Sequence, residues 1–151
     1  MNIWHQIIGN QPLAASLLAW FLAQFLKVLG SFKDGFNKED LKKFVATGGF
    51  PSSHSAAVAA LATSCGLVFG LDSAFFAIAA VLAVIVIYDA FTLRREAGRQ
   101  AQVLNHIIDD FYNNKGIQFR RLKELIGHSR IEAFFGLILG ILTAIVLFKN
   151  I

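Results

Sequence analysis

Four stretches of this sequence are apolar over nearly the length that crosses a lipid bilayer, and this constrains the fold more than any other feature. A hydrocarbon core of roughly 30 Å takes about 20 helical residues, with about 17 to 25 tolerated. The first stretch runs from about Pro12 to Phe32, interrupted only by Gln24 and Lys27. The second spans Ser53 to Leu71, the third Ser73 to Tyr88 and the last Ile131 to Phe148. The third is short for a span, so it either continues into the next segment or the membrane thins around it. Between the second and third, Gly70-Leu71-Asp72-Ser73 has room only for a tight turn, which predicts a helical hairpin.

The 151 residues make one domain, expected to cover the whole chain. They are 56% hydrophobic and only 16% charged, against about 25% charged in a usual soluble domain. Too little polar surface is left to cover a water-soluble globule, so lipid must solvate part of it. The predicted fold is all-α: a polytopic membrane helix bundle with about four transmembrane helices and a cytoplasmic amphipathic helix. Cys65 is the sole cysteine, so no intramolecular disulfide forms. Met1 to Gln11 holds no Lys or Arg, so the first apolar run is expected to be a retained helix rather than a cleaved signal.

The net charge of +4 would suit nucleic acid, but the position of the charges argues otherwise. The segment from Lys33 to Gly49 carries Lys33, Lys38, Lys42 and Lys43. The segment from Asp89 to Arg130 carries Arg94, Arg95, Arg99, Lys115, Arg120, Arg121, Lys123 and Arg130. With four spans, these twelve fall on one side and Lys149 alone on the other, Lys27 lying within the first helix. Basic residues near helix ends favour the cytoplasm. The site is therefore expected on the cytoplasmic face of a bacterial-type plasma membrane, its positive charge facing anionic lipid and anionic substrate rather than nucleic acid.

Arg94 to about Tyr112 has helix-forming composition and an apolar face through Ala97, Ala101, Leu104 and Ile108, with Asn113-Asn114-Lys115-Gly116 as a stop signal. It reads as an amphipathic helix at the membrane surface or as a continuation of the third span. Gly66-x-x-x-Gly70 and Gly136-x-x-x-Gly140 place small residues one turn apart, which lets helix backbones approach closely in lipid.

The unusual polar residues gather at the cytoplasmic helix ends. In Gly48-Gly49-Phe50-Pro51-Ser52-Ser53-His54-Ser55, the glycines permit a sharp path and Pro51 suits the first turn of a helix. The amides of Ser52, Ser53 and His54 would then point outwards at a positive helix end, which attracts phosphate. His54 titrates near neutrality and can protonate a leaving alkoxide; a serine-capped helix with an interfacial histidine fits the same residues. In Gly127-His128-Ser129-Arg130-Ile131-Glu132, His128 and Glu132 share one helix face. A carboxylate on one imidazole nitrogen fixes the tautomer and frees the other to attack; an ordinary helix-capping pair has the same spacing. Arg94 and Arg95 offer forked donors matched to phosphate, or flanking anchors for the membrane. Lys27 either snorkels to headgroups or reaches the same anion. No metal-ligand spacing stands out.

Residues 48–55, Tyr-Asp-Ala-Phe-Thr-Leu-Arg-Arg-Glu-Ala-Gly-Arg-Gln-Ala at 88–101, and Gly-His-Ser-Arg-Ile-Glu-Ala-Phe-Phe-Gly at 127–136 resemble the divergent type 2 phosphatidic acid phosphatase family. That family is also described as acid phosphatase/vanadium-dependent haloperoxidase-related. The resemblance covers essentially the whole chain. It implies a metal-independent phosphatase with no cofactor, His128 as nucleophile, His54 as general acid and Glu132 in place of the nucleophile's partner Asp. Arg94 or Arg95, Lys27, Ser52, Ser53 and Arg130 would bind phosphate. Four departures stand out. Ser53 replaces the glycine of the family's Pro-Ser-Gly-His motif, no Arg-Pro follows Lys27, the arginine pair lies more than thirty residues before His128, and four spans stand where familiar members have six.

The reading is a membrane phosphatase hydrolysing a lipid phosphate or diphosphate, polyprenyl or glycerophospholipid, with membrane lipids as its other partners. The alternative is a non-catalytic protein that binds phosphate or a lipid headgroup. Four short helices enclose little volume, which leaves a homodimer open.

Overall fold

A computed structural model describes residues 2–31, 49–112 and 130–149 of the chain. Among the described residues the structure is helical, with six helices and no strand. A short α1 (Ile3–Ile8) leads into α2 (Gln11–Ser31), followed by α3 (Ser53–Phe69), α4 (Ala74–Phe91), α5 (Leu93–Tyr112) and α6 (Arg130–Phe148). At 1.5 Å per residue, α2 and α6 are each about 30 Å long. These two are long and apolar enough to cross a membrane; α3 and the apolar part of α4 are somewhat shorter. The predicted stretches thus appear as helices with ends shifted by three residues or fewer.

Helix α3 lies at the centre, packed against α2, α6 and α4, while α2 and α6 also touch each other. Its composition explains the position: Ser55, Ala56, Ala59, Ala60 and Ser64 are buried, so neighbours approach from several sides without large side chains between them. Glycines on α6 complete the fit. A Cβ at Gly136 would run into the carbonyl oxygen of Ser52 and lie 3.0 Å from Ser55 Cβ. One at Gly140 would run into the Ala56 carbonyl and lie 2.9 Å from both Ala59 Cβ and Ala60 N. The spacing read as close packing is used for close packing.

The burial pattern inverts that of a water-soluble protein, where large apolar side chains fill the core. Here the buried cluster is Ala19, Ala23, Ala56, Ala60 and Ala144, with Leu139 packed against it. Large apolar residues face outward instead, Ile78 and Val84 being 68% exposed and Val146 70%. Lipid removes the gain from hiding leucine or isoleucine, so van der Waals fit between small residues decides what turns inward.

The hairpin between α3 and α4 forms where the turn residues place it. Gly70 takes φ +90°, a conformation that costs glycine little. Ser73 caps α4, its Oγ accepting from Phe76 N at 3.2 Å. At the other end of α4 only Thr92 separates it from α5, and Thr92 N and Oγ1 both donate to the Tyr88 carbonyl. The amphipathic segment is therefore a helix of its own that begins almost where α4 stops. Of its expected apolar face, Ala101 is buried, Ile108 half-buried and Leu104 exposed, and Gly98 and Asn105 are buried beside Ala101.

Candidate functional site

The candidate site is built where the start of α3 meets the end of α2 and the start of α6. Gly49 takes φ +88°, and the aliphatic stem of Lys27 comes to 3.6 Å from where its Cβ would be. The chain then turns through Phe50 and Pro51 into the helix. Ser52 is the N-cap: its Oγ accepts from Ser55 N at 3.3 Å and from Ser55 Oγ at 3.1 Å. Capping of this kind satisfies an amide that the first turn leaves without a helical acceptor.

Two details depart from the sequence reading. Helix α3 starts at Ser53, so Pro51 precedes the cap instead of occupying the first turn. The Ser52 amide, expected to point outward at an anion, donates to the Glu132 carbonyl at 3.0 Å. The reason is the close α3–α6 contact: with Gly136 against the Ser52 carbonyl, the start of α6 reaches the amide before any ligand does.

Lys27 is the cation of the site. It is only 8% exposed, and its Nζ donates to Ser53 Oγ at 3.2 Å. Three helix ends far apart in sequence thus contribute one buried cation, buried hydroxyls and one half-buried carboxylate. His54 follows Ser53 on α3, half-buried with its Nδ1 inside the protein. Gln24, one turn before Lys27, is 4% exposed. The sequence reading noted Gln24 only as an interruption, although its i,i+3 spacing from Lys27 places both on one helix face. Ser55, fully buried beside the cap, was likewise left out of the predicted site.

The remaining candidates divide. Arg130 opens α6 and is exposed. Arg94 and Arg95 lie in the first turn of α5, which the antiparallel hairpin returns to the same end of the bundle as the start of α3; their side chains lie outside the described set. His128, the expected nucleophile, lies outside the described residues, as does its expected pairing with Glu132. Among the described residues no three His, Cys, Asp or Glu side chains gather as a metal site would require.

The fold and this site together define a class: a small-residue-packed helical protein with membrane-length helices and a buried lysine–serine cluster at one end of the bundle. The chain belongs to the Divergent PAP2 family, whose model it matches over residues 8–143. It is similar to YuiD of Bacillus subtilis (strain 168), described as an uncharacterized membrane protein. The two are 44% identical over 153 residues, covering 94% of this chain and 96% of that one. No solved structure matches it.

Proposed function

We propose that this chain is a membrane phosphatase that crosses the bilayer four times, through α2, α3, α4 and α6, and hydrolyses a lipid phosphate or diphosphate at its cytoplasmic face. The observation that carries the reading is the buried Lys27 ammonium beside the start of α3, 3.2 Å from Ser53 Oγ. A cation held at membrane depth is costly and defaults to a functional role. Membership of the Divergent PAP2 family supports the same chemistry.

In this scheme a His128 nitrogen attacks phosphorus, forming a P–N bond as the ester or anhydride P–O bond breaks. His54 gives its proton to the departing oxygen. Glu132 steadies the His128 imidazole, and Lys27, Ser53 and an arginine of the Arg94–Arg95 pair stabilise charge on the equatorial oxygens. Water, deprotonated by His54, then cleaves the P–N bond and restores both histidines. Purified protein in detergent should release phosphate from at least one lipid phosphate of a panel, and His128→Ala and His54→Ala should each abolish release. Variants as fast as the parent remove the catalytic assignment.

A second reading, binding of phosphate or a headgroup without turnover, is favoured by the departures from the family's motifs: Ser53 stands in place of a glycine and no Arg-Pro follows Lys27. On that reading a lipid phosphate binds, Lys27→Met weakens binding, and no member of the panel is hydrolysed. The orientation has its own test: a cysteine introduced near Lys42 should resist a membrane-impermeant reagent in intact cells and react in inverted vesicles.

A further inference from the structure

Helices α2 and α6 touch but do not close along their length. Beside the candidate site they leave an apolar cavity of about 610 Å³ lined chiefly by Leu26, Leu29, Phe50, Phe135, Ile138 and Leu142. A second cavity of about 400 Å³ continues below it, lined by Leu18, Leu22, Leu142, Thr143, Val146 and Leu147. Leu142 belongs to both, so the two are compartments of one crevice. The lining residues run from Leu18 to Gly30 on α2 and from Phe135 to Leu147 on α6, about 18 Å at 1.5 Å per residue. That depth exceeds half of a hydrocarbon core of roughly 30 Å.

The upper end of the crevice is what distinguishes it from an ordinary lipid-facing gap. Pro51 lines it and is followed directly by Ser52 and Ser53. Lys27 stands on α2 between the lining residues Leu26 and Leu29, with its ammonium on Ser53. Phe50 and Phe135 pack at 4.9 Å between ring centroids at this level. A long apolar slot thus ends beside the buried Lys27–Ser53 cluster, with Pro51 and Phe50 between the two. The matching ligand is an amphiphile, with an anionic head for the cluster and a hydrocarbon tail for the slot.

We propose that the α2–α6 crevice is the tail-binding groove of the site and that it takes a hydrocarbon chain of a lipid phosphate drawn from the membrane. This rests on the proposed role of the Lys27 cluster in binding phosphate. It adds that recognition extends to the chain. Leu142, half-exposed where the compartments join, is the residue at which added bulk closes the groove without entering the core.

The test uses the full chain in nanodiscs and a photoactivatable hexadecyl phosphate with its reactive group near the tail end. Crosslinks should map to α2 and α6 around Leu18, Leu22 and Val146. Leu142→Trp should weaken hexadecyl phosphate binding about tenfold, the scale on which an apolar pocket senses changed volume, and leave butyl phosphate binding unchanged. Val84→Trp, equally bulky on the outward face of α4, should do neither, and thermal unfolding of both variants checks that they fold. Crosslinks spread over α4, or equal weakening by both tryptophans, overturns the groove. So does a crosslink from position 142 to a second copy of the chain, because the crevice is then a dimer contact. Loss of butyl and hexadecyl binding together on Lys27→Met is expected from the headgroup site. If Lys27→Met changes neither, the phosphate-binding reading fails while tail crosslinks on α2 and α6 still report on the groove.

Discussion

Helix α6 meets its two neighbours in opposite ways. On the face turned to α3 it carries Ala133, Gly136, Gly140 and Ala144, all buried, and the backbones come so close that no Cβ fits at either glycine. On the face turned to α2 it carries Phe135, Ile138, Leu142 and Val146, and there the helices leave the crevice. In water both faces would seal, because apolar side chains gain by leaving solvent. In lipid that gain vanishes and only fit remains. Small residues close an interface, and large ones leave a gap for chains of the bilayer.

The largest effect is expected on the closed face. Gly140→Val puts branched carbons where the Ala56 carbonyl stands, a backbone clash that should cost about 3 kcal/mol or more. Thermal unfolding in detergent should show a Tm fall of many degrees. An unchanged Tm would mean that α3 and α6 are not in contact as described.

Where the closed face ends at the site, Lys27→Met separates function from stability. Loss of one preorganised donor should lower phosphate release about a hundredfold. Tm should change little: methionine keeps the buried stem and removes the cost of burying a charge, while Glu132 is only half-buried and can stay solvated. A large Tm fall with full activity would assign Lys27 to structure.

Ser52→Ala should cost about 1 kcal/mol through loss of the cap. The same Tm measurement would show it as a smaller fall than for Gly140→Val, and no fall would mean that the Ser55 contacts are idle. The smallest effect is expected on the open face, where Leu142→Ala should change stability by about 0.5 kcal/mol or less. A Gly140-sized loss there would mean that the crevice is a packed interface and would erase the contrast between the two faces.

Much of this architecture is legible in the sequence. Apolar runs near the length of a span predict the helices, Gly70 to Ser73 predicts the hairpin, and Gly136-x-x-x-Gly140 predicts close packing, because each signal is local. The site was legible in part. Lys27, Ser53 and Glu132 stand out as polar residues beside apolar runs, and the helix order brings their ends together. Gln24 and Ser55 were passed over because their burial depends on neighbours distant in the chain. On α5 the expected apolar face contributes Ala101 to the packing, and Gly98 and Asn105 are buried beside it.

By itself, then, the order of residues determined the helices, the turn and which helix ends share a side, since these follow from hydrogen bonding within a segment and from alternating direction. Only the tertiary structure decided that the Ser52 amide serves the Glu132 carbonyl, and that α6 closes on α3 while leaving a crevice beside its contact with α2. Those outcomes depend on the distance between backbones. That distance is set jointly by side chains on two helices, so no single segment encodes it.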